Sequence, residues 1–144
     1  MNQHGREIFV PPSGPPQVER PNPAIYEAMG QENIFQMSED FYALLAVSDI
    51  KDMFPEDMVK ASRKQAKFIV SVVGGPPLYM MEYGNPRMRQ RHLPFEISEA
   101  SRQTWLGCFH QVLENPDKYD FPAAHLSGFL TFLDEFSKWM VNKA

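Results

Sequence analysis

Residues 74–113 read GGPPLYMMEYGNPRMRQRHLPFEISEASRQTWLGCFHQVL, and the fold is decided by how this stretch is read. Gly74-Gly75-Pro76-Pro77 ends any preceding helix, since glycine costs backbone entropy and proline lacks the N–H a helix needs. Residues 78–85 show no clear periodicity, and compact helical domains seldom carry such a connection unless it wraps something. Pro86 suits the first position of a short helix, which runs through Met88 to His92. Arg87, Arg89 and Arg91 precede the histidine, and Leu93-Pro94-Phe95 follow it. An imidazole at a frayed helix end, with cations on one side and apolar groups on the other, has the surroundings of an axial haem ligand. The arginines would then face the carboxylates of the macrocycle. Taken alone, a structural histidine is the commoner reading. Ser98 is placed to cap the next helix, which runs to about Leu113 with Thr104, Trp105, Cys108, Phe109 and Val112 facing inward.

Working outward, the residues before this stretch are helical too. Residues 58–73, MVKASRKQAKFIVSVV, put Ala61, Gln65, Phe68, Ile69 and Val72 on one face and the cations elsewhere, with Glu56 and Asp57 at the positive helix end. Met53-Phe54-Pro55 is a bulky corner. A helix over 33–47 shows Ile34, Met37, Phe41, Leu44 and Leu45 at helical spacing, with Tyr42 beside the stripe. Gly30 separates it from a short helical piece beginning at Ala24. Residues 1–23 contain VPPSGPPQVERPNP, a proline density that blocks helices and ladders, so a flexible arm is expected there. A polyproline ligand is the sharper reading of the arm and a plain tail the simpler one. Beyond the quoted stretch, Asn115-Pro116-Asp117 is a turn, and a last helix over 122–142 carries Leu126, Phe129, Leu130, Leu133, Phe136 and Met140 as one apolar face. There is no strand-like alternation. The expectation is an all-α domain over 24–144 behind an arm at 1–23.

The 144 residues suffice for one core, and 43% apolar with 12% aromatic residues is globular composition. A net charge of −4 argues against nucleic acid as partner. No run approaches a membrane span or a secretory leader. The single cysteine, Cys108, cannot form an internal disulfide or a multi-thiolate zinc site, so the reducing cytoplasm is the expected compartment. His4, His92, His110 and His125 include no pair at HxxxH or HExxH spacing, which leaves a zinc hydrolase without support.

The segments GGPPLYMMEYGNPRMRQRHLPF and RQTWLGCFH resemble the truncated haemoglobins, and among them the second group, in residue type and spacing. The resemblance extends from Ala24 to about Leu113 and covers the last helix only in general character. It implies a globin-like 2-over-2 helical sandwich around a haem. By position His92 matches the proximal iron ligand, Trp105 the group's distal tryptophan and Tyr42 the distal tyrosine of the second helix. Phe54 matches the aromatic that braces the ring, and Ala61 and Gln65 the two distal positions of the next helix. Tyr79 and Arg91, assisted by Arg89, match propionate-side contacts, and Phe68, Met88 and Phe95 complete the cofactor surface. With no CxxCH motif the haem is of b type, held noncovalently.

The residues themselves agree with that mapping. An indole N–H only donates, a phenol O–H donates, and Gln65 brings a rotatable amide. Donors aimed in a dry pocket at the charge that builds up on a diatomic ligand hold it by several kcal/mol at most, on the order of one oxyanion-hole donor. Against this, Trp105 and Tyr42 read as ordinary core aromatics; Gln65, on an apolar face, needs a partner if buried. The implied activity is reversible binding of O2, CO and NO, for storage or for removal of nitric oxide and reactive species, as a monomer or homodimer. An enzymatic reading, nitric oxide dioxygenase or peroxidase-like, needs a separate reductase, because the chain is too short to carry its own. A cofactor-free helical interaction module is the remaining alternative.

Overall fold

The computed structural model describes residues 7–144, and among them the regular structure is entirely helical. Helix α1 spans Ala24–Leu45 and is bent where Gly30 takes φ 75° and ψ 165°. That positive φ is open to glycine without strain, so the break expected at Gly30 is a kink between two helical pieces. Helix α2, Met58–Val72, begins at Asp57, whose side chain accepts the Lys60 N–H at 3.0 Å. Helix α5, Glu99–Val112, begins at Ser98, whose hydroxyl accepts the Ser101 N–H at 3.1 Å. Each cap satisfies one of the orphan donors of a first turn, which stabilises a helix by about 1 kcal/mol. Helix α6, Leu126–Met140, follows a 3-10 turn at Ala123–His125. The apolar face read over 122–142 is therefore real, but the helix proper starts four residues later.

Helix α1 packs on α2 and on α5, and α5 packs on α6. These two pairs form the 2-over-2 sandwich. Phe41 and Phe109, both fully buried, stack at its centre with ring centroids 3.8 Å apart and planes at 25°. Removing either ring would cost about 3–5 kcal/mol, the usual range for a large buried aromatic. Gly74, at φ 103°, lets the end of α2 lie against the entry to α1: a Cβ there would sit 2.5 Å from Pro23. Tyr26 N–H bonds the Val73 carbonyl across the same junction at 3.2 Å.

Two local expectations are corrected. Residues 78–85 are not an aperiodic connection, because helix α3 occupies Leu78–Tyr83; six residues give too few turns for periodicity to register. The next helix, α4, spans Met88–His92 and does not start at Pro86. Arg87 intervenes in the left-handed region at φ 40°, ψ 55°, a conformation that costs a non-glycine residue of order 1 kcal/mol. The compensating contacts are visible: Arg91 reaches back to the carbonyls of Pro86 at 2.6 Å and of Tyr83 and Asn85 at 3.0 Å.

Residues 7–23 contain no helix, yet Pro11 and Pro21 are buried. Phe9 packs with Ile97, Met140 and Val141, and its N–H donates to the Asn142 carbonyl at 3.0 Å. The first six residues of the expected arm, His4 among them, lie outside the described residues. No helix among the described residues is long and apolar enough to cross a membrane.

Candidate functional site

Helix α4 ends on His92, which is partly buried. Its Nδ1 lies 2.6 Å from the Met88 carbonyl, one turn back on the same helix. A carbonyl oxygen only accepts, so Nδ1 carries the hydrogen and Nε2 keeps its lone pair. Burial lowers the imidazole pKa, partly opposed by the Met88 bond, and the ring is a neutral base at neutral pH. This is the arrangement a metal-ligating histidine requires, with the second nitrogen oriented by a backbone acceptor.

A second set of polar groups comes from α1, α2 and α5. Tyr42 is 9% exposed and stands edge-on to Phe41 at 5.5 Å and to Phe54 at 5.7 Å. Its phenol, pushed up to about 12 by burial, stays a donor across the physiological range. Trp105 stands edge-on to Phe41 at 5.7 Å and to Phe109 at 4.9 Å. Neither the Tyr42 hydroxyl nor the Trp105 N–H has a protein partner among the described residues. A phenol that buried normally finds an acceptor, and this one has its donor left over. Ser38, fully buried, has its hydroxyl 2.8 Å from the Ser62 carbonyl and 2.9 Å from Gln65 Oε1, its one hydrogen shared between the two acceptors. The second contact ties the Gln65 amide to α1. Sequence reading did not single out Ser38. It is 27 positions from Gln65, and only the packing of α1 on α2 brings the two together.

The other site residues divide. Tyr79 is 2% exposed, packs against Phe68 at 5.9 Å and Tyr83 at 4.9 Å, and has the Arg91 guanidinium 5.4 Å over its ring. Burial raises the Tyr79 phenol pKa against the pull of Arg91, and its hydroxyl also lacks a protein partner among the described residues. Phe68 and Met88 line an open surface groove with Arg89, Gln90, Phe136 and Trp139. Phe54 and Ala61 are partly buried against the main core, as is Trp105. Phe95 is 48% exposed. Arg89 is turned another way: its guanidinium donates to the carbonyls of Trp139, Val141 and Phe9 and stacks 4.3 Å over the Trp139 ring. Those three acceptors occupy the fork that was expected to assist Arg91. His110 is exposed and His125 is half-buried. No group of three or more His, Cys, Asp or Glu among the described residues could hold a metal ion.

Comparison with known proteins shows the family and the fold. The family model described as bacterial-like globin matches residues 24–142. The group 2 truncated hemoglobin YjbI of Bacillus subtilis is 40% identical over 93 residues, 64% of this chain and 70% of that protein. Among solved structures, phosphate-bound Hell's gate globin IV superposes with a TM-score of 0.81 at 33% identity, covering 89% of this chain and 80% of that one. The truncated oxygen-avid haemoglobin from Bacillus subtilis gives 0.75 at 34% identity, covering 84% and 99%. The group II truncated hemoglobin from Bacillus anthracis gives 0.76 at 31% identity, covering 85% and 92%. The chain belongs to the bacterial-like globin family and is a truncated haemoglobin of the second group.

Proposed function

We propose that the chain binds one b-type haem noncovalently, with His92 as the residue that would ligate its iron, and that it reversibly binds O2 and other diatomic ligands. The observation that carries this reading is the bond from His92 Nδ1 to the Met88 carbonyl at 2.6 Å, which leaves Nε2 neutral and oriented. His92 would be the protein's ligand to the iron, and a porphyrin would supply the rest. The unpartnered hydroxyls of Tyr42 and Tyr79, both almost fully buried, suit the two polar demands of a porphyrin site: a diatomic on one face and carboxylates at the edge.

Bound haem supplies a ferrous iron able to take a diatomic ligand. The protein's part is positional. Trp105, Tyr42 and Gln65 would offer donors in a ligand pocket, with Ser38 anchoring the Gln65 amide. Ala61 leaves that pocket open where a larger side chain would narrow it. Tyr79 and the Nη1 end of Arg91, whose Nε and Nη2 are bonded to the carbonyls of residues 83–86, would receive the propionates, while Phe54, Phe68 and Met88 would contact the ring. Spectra of the reconstituted protein in ferric, ferrous and CO-bound states test the reading. One haem per chain with histidine ligation is expected, and its loss in His92→Ala. A protein that stays colourless with added haemin refutes it.

A further inference from the structure

Helix α4 is five residues long, and a single turn of helix does not hold itself in place. Its position must come from contacts outside it: Arg91 ties it to the carbonyls of residues 83–86, and a second set comes from the two ends of the chain. Asn142 is fully buried. Its Nδ2 donates to the His92 carbonyl at 3.2 Å and to the Phe95 carbonyl at 2.9 Å, while Oδ1 accepts the Ile97 N–H at 3.0 Å. The Asn142 backbone adds its own N–H to the Ile97 carbonyl and takes the Phe9 N–H on its carbonyl, both at 3.0 Å. One turn before His92, Arg89 donates to the Trp139, Val141 and Phe9 carbonyls.

From this juxtaposition we propose that Asn142 and Arg89 are positioning residues for the proximal histidine: together with Phe9 they clamp α4 between the chain ends and set how His92 meets the iron. The proposal rests on His92 being the iron ligand. A buried amide with both its ends engaged is costly to disturb, and groups that orient a metal ligand change affinity by roughly ten- to a hundredfold when altered. Asn142 acts on the carbonyl of the ligand residue itself. Arg89 acts through the backbone of the same helical turn, with the planar fork that lysine lacks. The Phe9 contact gives the N-terminal segment a share in the clamp.

The test uses full-length, haem-loaded protein with Asn142→Asp, which keeps shape and an acceptor for Ile97 but loses the donor, and with Arg89→Lys. Tyr119→Phe is the control: it removes a part-buried 2.6 Å bond to Asp40 of α1 and lowers stability without touching α4. The readouts are the iron–histidine stretching band of the ferrous protein by resonance Raman, and the rate of haem transfer to excess apomyoglobin. Both clamp variants are expected to shift or broaden the band and to lose haem roughly ten- to a hundredfold faster, while Tyr119→Phe leaves the band in place. In His92→Gly protein carrying free imidazole, Asn142→Asp is expected to have no effect on the band, because the ligand is no longer tethered. Bands unchanged in both clamp variants, or a shift that persists with free imidazole, overturn the clamp and leave His92 as ligand. Wild-type protein with no iron–histidine band overturns the ligand assignment and the clamp with it.

Discussion

Trp105→Phe isolates a single hydrogen atom on the proposed ligand side. Phenylalanine keeps an aromatic ring for the edge contacts to Phe41 at 5.7 Å and Phe109 at 4.9 Å, so the core loses volume but not its packing arrangement. Such a swap costs the fold on the order of 1–2 kcal/mol. The indole N–H has no protein acceptor among the described residues, so removing it leaves no protein group newly unsatisfied. Its whole effect on ligand binding is the bond it makes to the ligand. A net hydrogen bond in a dry site contributes about 1–2 kcal/mol, which corresponds to roughly 5–30-fold faster O2 release. CO, a weaker acceptor, should be released with a smaller change. Stopped-flow displacement of O2 by excess CO measures the rate, and a thermal melt of the same sample reports the fold. An O2 release rate equal to wild type, in a protein that is folded and haem-loaded, would show that Trp105 only packs.

Ser38→Ala removes the bonds to the Ser62 carbonyl and Gln65 Oε1; urea denaturation should show a loss of about 1–3 kcal/mol, accompanied by faster O2 release as the amide loses its anchor. Unchanged release would mean that Gln65 is not held by Ser38 for binding. Phe109→Ala opens the stack with Phe41 and should lower stability by about 3–5 kcal/mol, read as a large drop in melting temperature. The bond from Arg102 holds the Glu99 carboxyl below the usual carboxylate range, against the upward push of burial. A depressed folded pKa stabilises above the unfolded value, about 4.3, and that contribution is lost as pH falls through the folded pKa. Glu99→Gln should therefore flatten the fall in melting temperature below about pH 4, and a slope identical to wild type would contradict the pair. Because burial pushes the Tyr42 phenol up to about 12, an alkaline titration of tyrosinate absorbance should leave Tyr42 unionised until near pH 12. Its ionisation near pH 10, the ordinary value for tyrosine, would show the phenol to be solvated.

Local sequence determined the helices that are long enough to repeat: the stripes of α1, α2 and α6, the Ser98 cap and the Gly30 break all follow from spacing and residue type within one element. The run from Gly74 to Phe95, with Trp105 in the next helix, also carried the family resemblance, because a histidine behind three arginines and a Gly-Gly-Pro-Pro stop is rare. What the chain in one dimension could not give is which distant groups share a partner. Arg89 and Arg91 look alike in sequence, yet α4 turns one toward the chain ends and the other toward the carbonyls of residues 83–86. Ser38 and Asn142 are unremarkable letters until α1 lies on α2 and the C-terminal residues return beside α4. Helix periodicity is a local property set by 3.6 residues per turn, whereas the satisfaction of a buried polar atom depends on whatever the whole fold places within 3 Å of it.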